Sequence, residues 1–129
     1  MTDTKTRFEG ADPILCVRDM SVAVRYYVEA LGFENAKWGD ETFTSVKRDR
    51  ACIYLCVGEY QGRGGAWVFV GVEDAEVLYE ELKGSGARLR HAPRNYVWGL
   101  EFHVEDLDGN VLRMGSEPKS NRPYDEWIA

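Results

Sequence analysis

Three side chains capable of acid–base or ionic chemistry lie close together near the C-terminal end of the chain. Glu101 and His103 alternate with apolar residues, and Arg113 lies in the next apolar segment. A glutamate can pair with a ligand amine, and an arginine can pair with a ligand carboxylate or with the glutamate itself. A histidine in this setting is either a general acid or base or a hydrogen-bonded structural residue. The sequence leaves these alternatives open.

Aromatic residues surround these polar groups in alternating positions. Trp67 and Phe69 alternate with valines, Tyr54 lies in another apolar segment, and Trp38 and Trp98 lie near segment ends. Flat rings hold heteroaromatic or cationic groups by stacking and cation–π attraction, worth about 0.5–2 kcal/mol per contact. Alternatively, the rings fill their own cavity and bind nothing. The predicted ligand-binding residues are Trp38, Tyr54, Trp67, Phe69, Trp98, Glu101, His103 and Arg113.

No serine, cysteine or lysine lies in a sequence context typical of a catalytic nucleophile, so no catalytic residue is predicted. His103 and Cys56 would form a thiolate pair only if the fold brought them together. The glycine-rich segment Glu59–Gly65 does not resemble a phosphate-binding loop, because a strand pattern rather than a helix follows it. We interpret that segment as a flexible linker.

Hydrophobic periodicity predicts the elements that carry these residues. Leu100, Phe102 and Val104 form one face of a strand, and the pair Asp108-Gly109 predicts a hairpin turn into the next strand. Asp19 and Asp74 are each placed to cap a helix. Helices are predicted over Ser21–Leu31 and Glu76–Lys83, and further strands over Pro13–Val17, Phe33–Trp38, Thr42–Arg48, Ala51–Val57, Trp67–Val72 and Ala87–His91.

The order strand, helix and three strands occurs twice, which predicts an internal repeat. Val17-Arg18-Asp19 matches Val72-Glu73-Asp74, and both triplets precede a predicted helix. The modules span residues 11–58 and 66–116, and residues 1–10 and 117–129 form tails. The predicted fold is α+β, with helices covering the outside of two curved mixed sheets that form a cup. A concave sheet surface is a usual place to bind a small molecule.

Charge and composition exclude several classes of partner. Sixteen basic and 22 acidic side chains give the 129-residue chain a net charge of −6. A nucleic acid is therefore not a predicted partner, whereas a cationic ligand is mildly favoured. No run is long and apolar enough for a membrane span, and the first residues do not resemble a signal peptide. We expect a cytoplasmic location and no membrane partner.

The three cysteines, Cys16, Cys52 and Cys56, are predicted to be free thiols. An odd number without a secretion signal argues against a disulfide framework. Four residues along a strand place Cys52 and Cys56 about 13 Å apart, which is too far for one metal ion. They are interpreted as small apolar residues, and strand alternation places both on the cup side together with Tyr54.

The chain resembles the vicinal oxygen chelate superfamily, which includes glyoxalase I, extradiol dioxygenases and antibiotic-resistance proteins. The resemblance covers about residues 11–116 and is closest to the bleomycin-resistance branch. The residues that carry it are Trp98-Gly99, Glu101-Phe102, Asp106, Asp108-Gly109-Asn110, Leu112-Arg113 and Gly115, with Tyr26-Tyr27 and Leu31-Gly32-Phe33 in the first module.

The resemblance implies four positions where metal-dependent relatives place ligands. Here they are Asp12, Cys56, Trp67 and Arg113. Tryptophan offers no usable lone pair, and arginine is a cation that repels a metal ion. Neither a metal nor another cofactor is therefore predicted.

The resemblance leads to three hypotheses for function. The first is a metal-free protein that binds a bleomycin-like or other aromatic cationic compound without turning it over, as a homodimer with cups built across the subunit interface. The second is a metal-dependent lyase, isomerase or dioxygenase. The third is a member that binds some metabolite and has no antibiotic role.

Overall fold

A computed structural model describes residues 5–58 and 65–127, so most of the predicted linker Glu59–Gly65 lies outside the described residues. The first sheet has the order β1-β4-β3-β2. Strand β1 is parallel to β4, and the other neighbours are antiparallel. Its strands are β1 (Ile14–Val17), β2 (Glu34–Asn35), β3 (Phe43–Arg48) and β4 (Ala51–Val57).

The second sheet repeats this arrangement with one addition. It has the order β5-β9-β8-β6, with β5 parallel to β9, and a short strand β7 pairs with the beginning of β8. Its strands are β5 (Trp67–Gly71), β6 (Arg88–Leu89), β7 (Arg94–Tyr96), β8 (Gly99–Glu105) and β9 (Val111–Ser116). The fold is therefore mixed α+β with two separate sheets, as predicted.

Both predicted caps are present. The Asp19 carboxylate accepts a hydrogen bond from the backbone of Val22 at the start of α1 (Met20–Arg25), and Asp74 caps α2 (Ala75–Leu82) in the same way. A π-helical segment, Tyr26–Ala30, continues α1. The first helix predicted from the sequence is thus an α-helix joined to a π-helical turn, and it ends before Gly32, whose φ is +77°.

Two predicted strands are much shorter than their sequence patterns. The pattern Phe33–Trp38 yields only β2, because Gly39 donates to the carbonyl of Ala36 and the chain turns there. Gly39 also approaches Thr44 so closely that no side chain could replace its hydrogen. The pattern Ala87–His91 yields only β6, and β7 was not predicted.

A single hydrophobic core joins the inner faces of both sheets to both helices. The predicted inner face of β8 is confirmed, since Leu100, Phe102 and Val104 are all buried in this core. Tyr27 from the π-helical segment is fully buried in the same core. Within the described residues, no helix is long and apolar enough to cross a membrane.

The turn between β8 and β9 connects the two modules. Asp106 accepts hydrogen bonds from the Tyr27 hydroxyl and from the backbone of Asn110. The side chain of Asn110 donates to the carbonyl of Cys16 and accepts from the backbone of Ala66. Burial and the adjacent Asp106 raise the pKa of Tyr27 well above its ordinary value, so its hydroxyl stays a donor. The Asp-x-Asp-Gly-Asn motif therefore fixes both sheets relative to one another.

Candidate functional site

The outer face of the first sheet carries a group of three rings. Phe43 and Tyr54 are stacked with centroids 5.5 Å apart, and Trp38 lies 6.1 Å from Phe43 and 6.4 Å from Tyr54. Trp38 lies in the turn that shortens β2, and it remains 59% exposed. We call Trp38, Phe43 and Tyr54 the first aromatic group. It presents ring surface on the side of the sheet opposite the core.

Cys56 lies on the same sheet face as Tyr54 but does not line an open surface. It is buried, and its thiol lies 3.6 Å from that of Cys16 on the neighbouring strand. Burial and the Cys16 thiol raise the pKa of Cys56 to about 11. Because the thiolate is the reactive form, Cys56 is unsuited to nucleophilic chemistry at neutral pH. Cys56 therefore lies on the sheet face that alternation assigns to it, but its side chain is buried there.

The edge strand β5 carries the second group of exposed rings. Trp67 is 56% exposed and Phe69 is 63% exposed. The Phe69 ring lies over Gly115 of the neighbouring strand, where an added Cβ would come within 2.7 Å of the ring. Glycine at position 115 therefore lets the ring lie flat across the sheet.

Two histidines and an arginine extend this surface from Trp67. The His103 ring lies 5.1 Å from the Trp67 ring and 4.6 Å from the His91 ring. The guanidinium carbon of Arg90 lies 5.4 Å from the centroid of the Trp67 ring. Burial, with the nearby charges of His91 and Arg113, lowers the pKa of His103. His103 is therefore neutral at pH 7, when its ring presents an uncharged polar surface. The sequence offered no partner for His91, which the fold brings in from a separate segment.

Glu101 and Arg113 pair with each other, which was one of the two alternatives left open by the sequence. The Nε atom of Arg113 donates to a Glu101 carboxylate oxygen at 2.8 Å. Glu101 is only 3% exposed, whereas about a third of the Arg113 side chain is exposed. The Glu101 carboxylate forms its ion pair with Arg113, so it is not free to bind an amine of a ligand.

A third group of rings lies at the end of the same face. Trp98 stacks on Tyr96 at 4.7 Å, and Trp127 of the C-terminal tail lies 5.5 Å from Trp98 and 5.4 Å from Tyr96. Trp127 also lies over the Arg113 guanidinium, 5.9 Å from its carbon. We call Tyr96, Trp98 and Trp127 the third aromatic group.

The eight predicted residues thus fall on two sheet faces. Six of them lie on or beside the second sheet, whereas Trp38 and Tyr54 lie on the first sheet. Among residues 5–58 and 65–127, no ring contact links the first aromatic group to the second sheet. Four ring-bearing residues outside the eight predicted ones belong to these groups, namely Phe43, His91, Tyr96 and Trp127. Tyr96 ends β7 and Trp98 lies in the two-residue turn that leads into β8, so this turn brings the two rings together.

The donor atoms at the four metal-ligand positions do not fit a metal ion. Cys56 is a buried thiol with a raised pKa, Arg113 is a cation held by Glu101, and Trp67 offers no lone pair. Asp12 is exposed at the start of the first module. Across the described part of the chain, no group of three or more histidine, cysteine, aspartate or glutamate side chains is arranged to hold a metal.

The family model described as the Glyoxalase/Bleomycin resistance protein/Dioxygenase superfamily matches residues 10–114 of this chain. The chain belongs to this superfamily. The match spans both sheets and ends before the C-terminal tail that carries Trp127. No curated protein matches the chain.

Solved structures of the same fold include two bleomycin-binding proteins. One, from bleomycin-producing Streptomyces verticillus in complex with copper(II)-bleomycin, is 27% identical, with a TM-score of 0.74 over 87% of this chain and 98% of that chain. Another, in complex with bleomycin, is 23% identical, with a TM-score of 0.71 over 85% and 99%. A virulence protein from Salmonella typhimurium is 17% identical, with a TM-score of 0.70 over 87% and 99%.

Proposed function

We propose that this protein binds a planar aromatic small molecule, of which a bleomycin-like antibiotic is the leading candidate, and sequesters it without turnover. The observation that carries the proposal is the set of large rings left more than half exposed on the sheet faces opposite the core: Trp38, Trp67, Phe69 and Trp98. Several large rings left this exposed are typical of interaction sites rather than of an ordinary surface. Similarity to a bleomycin-binding protein over nearly its whole length supports the same proposal.

The attraction for a cationic ligand would come from ring faces and from the overall negative charge. Glu101 is already paired with Arg113, so it contributes to the local charge balance and not to a free anionic site. Cation–π attraction to an exposed tryptophan is worth about 0.5–1 kcal/mol, and more where water is excluded. A ligand that combines flat rings with positive charge fits this surface best.

We also propose that two copies form a homodimer in which the first aromatic group of one copy faces the second sheet of the other. Each face alone is open, and the two faces share no ring contact within the described residues. A facing sheet would cover both sides of a planar ligand. A cytoplasmic location stays a prediction from the sequence.

Tryptophan fluorescence tests the proposal, because all four tryptophans belong to the aromatic groups described above. Titration with bleomycin is expected to quench the emission in a saturable manner at sub-millimolar ligand. A Trp67→Ala variant should weaken binding by about tenfold, since this factor corresponds to the loss of a ring contact worth about 1.4 kcal/mol. Phe8→Ala, which removes an exposed ring outside the aromatic groups, is the matched control and should bind as the wild type does.

A further inference from the structure

The C-terminal tail follows a fixed course although it has no helix or strand. Between residues 117 and 127 it crosses the end of the second sheet, and its two basic residues form ion pairs with helix α2. Lys119 pairs with Asp74 at 2.9 Å, and Arg122 pairs with Glu76. We call residues 117–127 the strap. It lies beyond the residues that match the family, so its role is not explained by the shared fold.

Asn95 holds the strap to the sheet. Its side chain donates to the carbonyl of Lys119 at 2.9 Å and to that of Pro123 at 3.3 Å, and it accepts from the backbone of Lys119 at 2.8 Å. Its backbone exchanges two further hydrogen bonds with Asp125, at 2.6 and 2.7 Å. Asn95 is 5% exposed, so its own end of each of these bonds is shielded from water.

The strap ends by placing one large ring on the candidate ligand surface. Trp127 lies two residues beyond Asp125, in contact with Trp98 and over Arg113. Trp127 is nevertheless 55% exposed, so much of its ring surface does not serve to bury a core. Five hydrogen bonds and two ion pairs thus position a ring that remains accessible beside Trp98.

We propose that Trp127 is a ligand-binding residue, supplied by the strap as a fixed aromatic wall at the Arg113 end of the site. This inference rests on the proposed function, because it concerns the same ligand surface. Trp98 and Trp127 meet at an angle of 57°, which gives a corner of two ring faces beside a guanidinium. A planar heteroaromatic group fits such a corner by packing its face on one ring and its edge on the other.

The test uses the full-length protein labelled with 5-fluorotryptophan, whose four fluorine resonances are assigned by single Trp→Phe substitutions. The probes are bleomycin, neutral quinoline and cationic N-methylquinolinium. We expect the probes to shift the resonances of Trp98 and Trp127 together. Trp127→Ala should weaken binding by about tenfold, as expected for the loss of one ring contact. Phe8→Ala removes a ring that is 92% exposed outside the strap, and it should leave the affinity unchanged. Equal melting temperatures would show that both variants fold.

The outcomes separate this inference from the proposed function. If bleomycin shifts other tryptophans, while the Trp127 resonance stays fixed and Trp127→Ala binds normally, the wall is overturned and the proposed function stands. If bleomycin shifts no resonance, the proposed function fails, and quinoline and N-methylquinolinium then test the role of Trp127. A shift of the wild-type Trp127 resonance, together with weaker binding by Trp127→Ala, supports that role. The absence of either result overturns it.

Discussion

The ion pair between Glu101 and Arg113 determines what the second sheet offers to a ligand. A buried carboxylate without a partner costs free energy, and Arg113 provides both the opposite charge and a hydrogen bond. In consequence the face presents rings, a neutral histidine and a partly covered guanidinium. Arg113 is a cation without a lone pair to offer, so this position does not suit a metal ion.

Removing the arginine is therefore expected to harm the protein more than removing both partners. Arg113→Met should lower the free energy of unfolding by about 1–3 kcal/mol, because it leaves the buried Glu101 uncompensated. The double variant Glu101→Gln with Arg113→Met should recover part of that loss. Urea denaturation of the two single variants and the double variant measures the coupling. Additive losses would show that the two residues do not stabilise each other.

Among the elements, the turn between β8 and β9 links the two modules by hydrogen bonds. Asn110 is fully buried and bonds to both modules, since it donates to the Cys16 carbonyl and accepts from the backbone of Gly65 and Ala66. This turn therefore adds hydrogen bonds between the modules to the hydrophobic core that both sheets share. The Asp-x-Asp-Gly-Asn motif is thus structural and lies outside the three aromatic groups.

Asn110→Ala should accordingly lower the free energy of unfolding by about 2–3 kcal/mol, because it leaves several buried polar groups unsatisfied. The loss should appear in thermal or urea unfolding of the ligand-free protein. Asn121→Ala, at an exposed position of the strap, is the control and should change stability by no more than about 0.5 kcal/mol. Equal stability of the two variants would refute the role given to this turn.

The elements were predictable where local chemistry decides them. Strict alternation determined the faces of β8, and an aspartate followed by a helical pattern determined both caps. The shortened β2 was not predictable, because the contact of Gly39 with Thr44 arises only when two segments pack. The position of Trp127 was not predictable for the same reason. The strap has no periodic pattern, and its course depends on hydrogen bonds to Asn95, which is distant in the sequence. Likewise, alternation places Cys56 on the face of Tyr54 but does not show that its side chain is buried beside Cys16.

In the whole molecule, two ring-bearing sheet faces belong to one chain, with no ring contact between them in the described residues. The inner faces of both sheets join one core, whereas Trp38, Trp67, Phe69 and Trp98 remain more than half exposed. A second copy placed face to face would bring the two kinds of ring surface together and build two equivalent sites. This arrangement predicts that neither sheet face binds tightly alone.

Mixing two defective variants tests this arrangement. One variant carries Trp38→Ala with Tyr54→Ala, and the other carries Trp67→Ala with Phe69→Ala. Each variant alone should bind bleomycin weakly. A mixed dimer formed by co-expression should have one intact site of its two, because the unchanged face of one copy meets the unchanged face of the other. Sedimentation velocity of the wild-type protein provides the independent check of mass. A monomer in sedimentation, or no recovery in the mixed dimer, would contradict sites shared between copies.

A sequestering protein holds its ligand and releases it unchanged. Equilibrium dialysis against bleomycin, followed by mass spectrometry of the recovered compound, measures both properties. We predict saturable retention with a fixed stoichiometry per chain at sub-millimolar ligand, and recovery of bleomycin with its mass unaltered. Absence of retention in that range would refute binding, and recovery of a chemically altered product would refute sequestration without turnover.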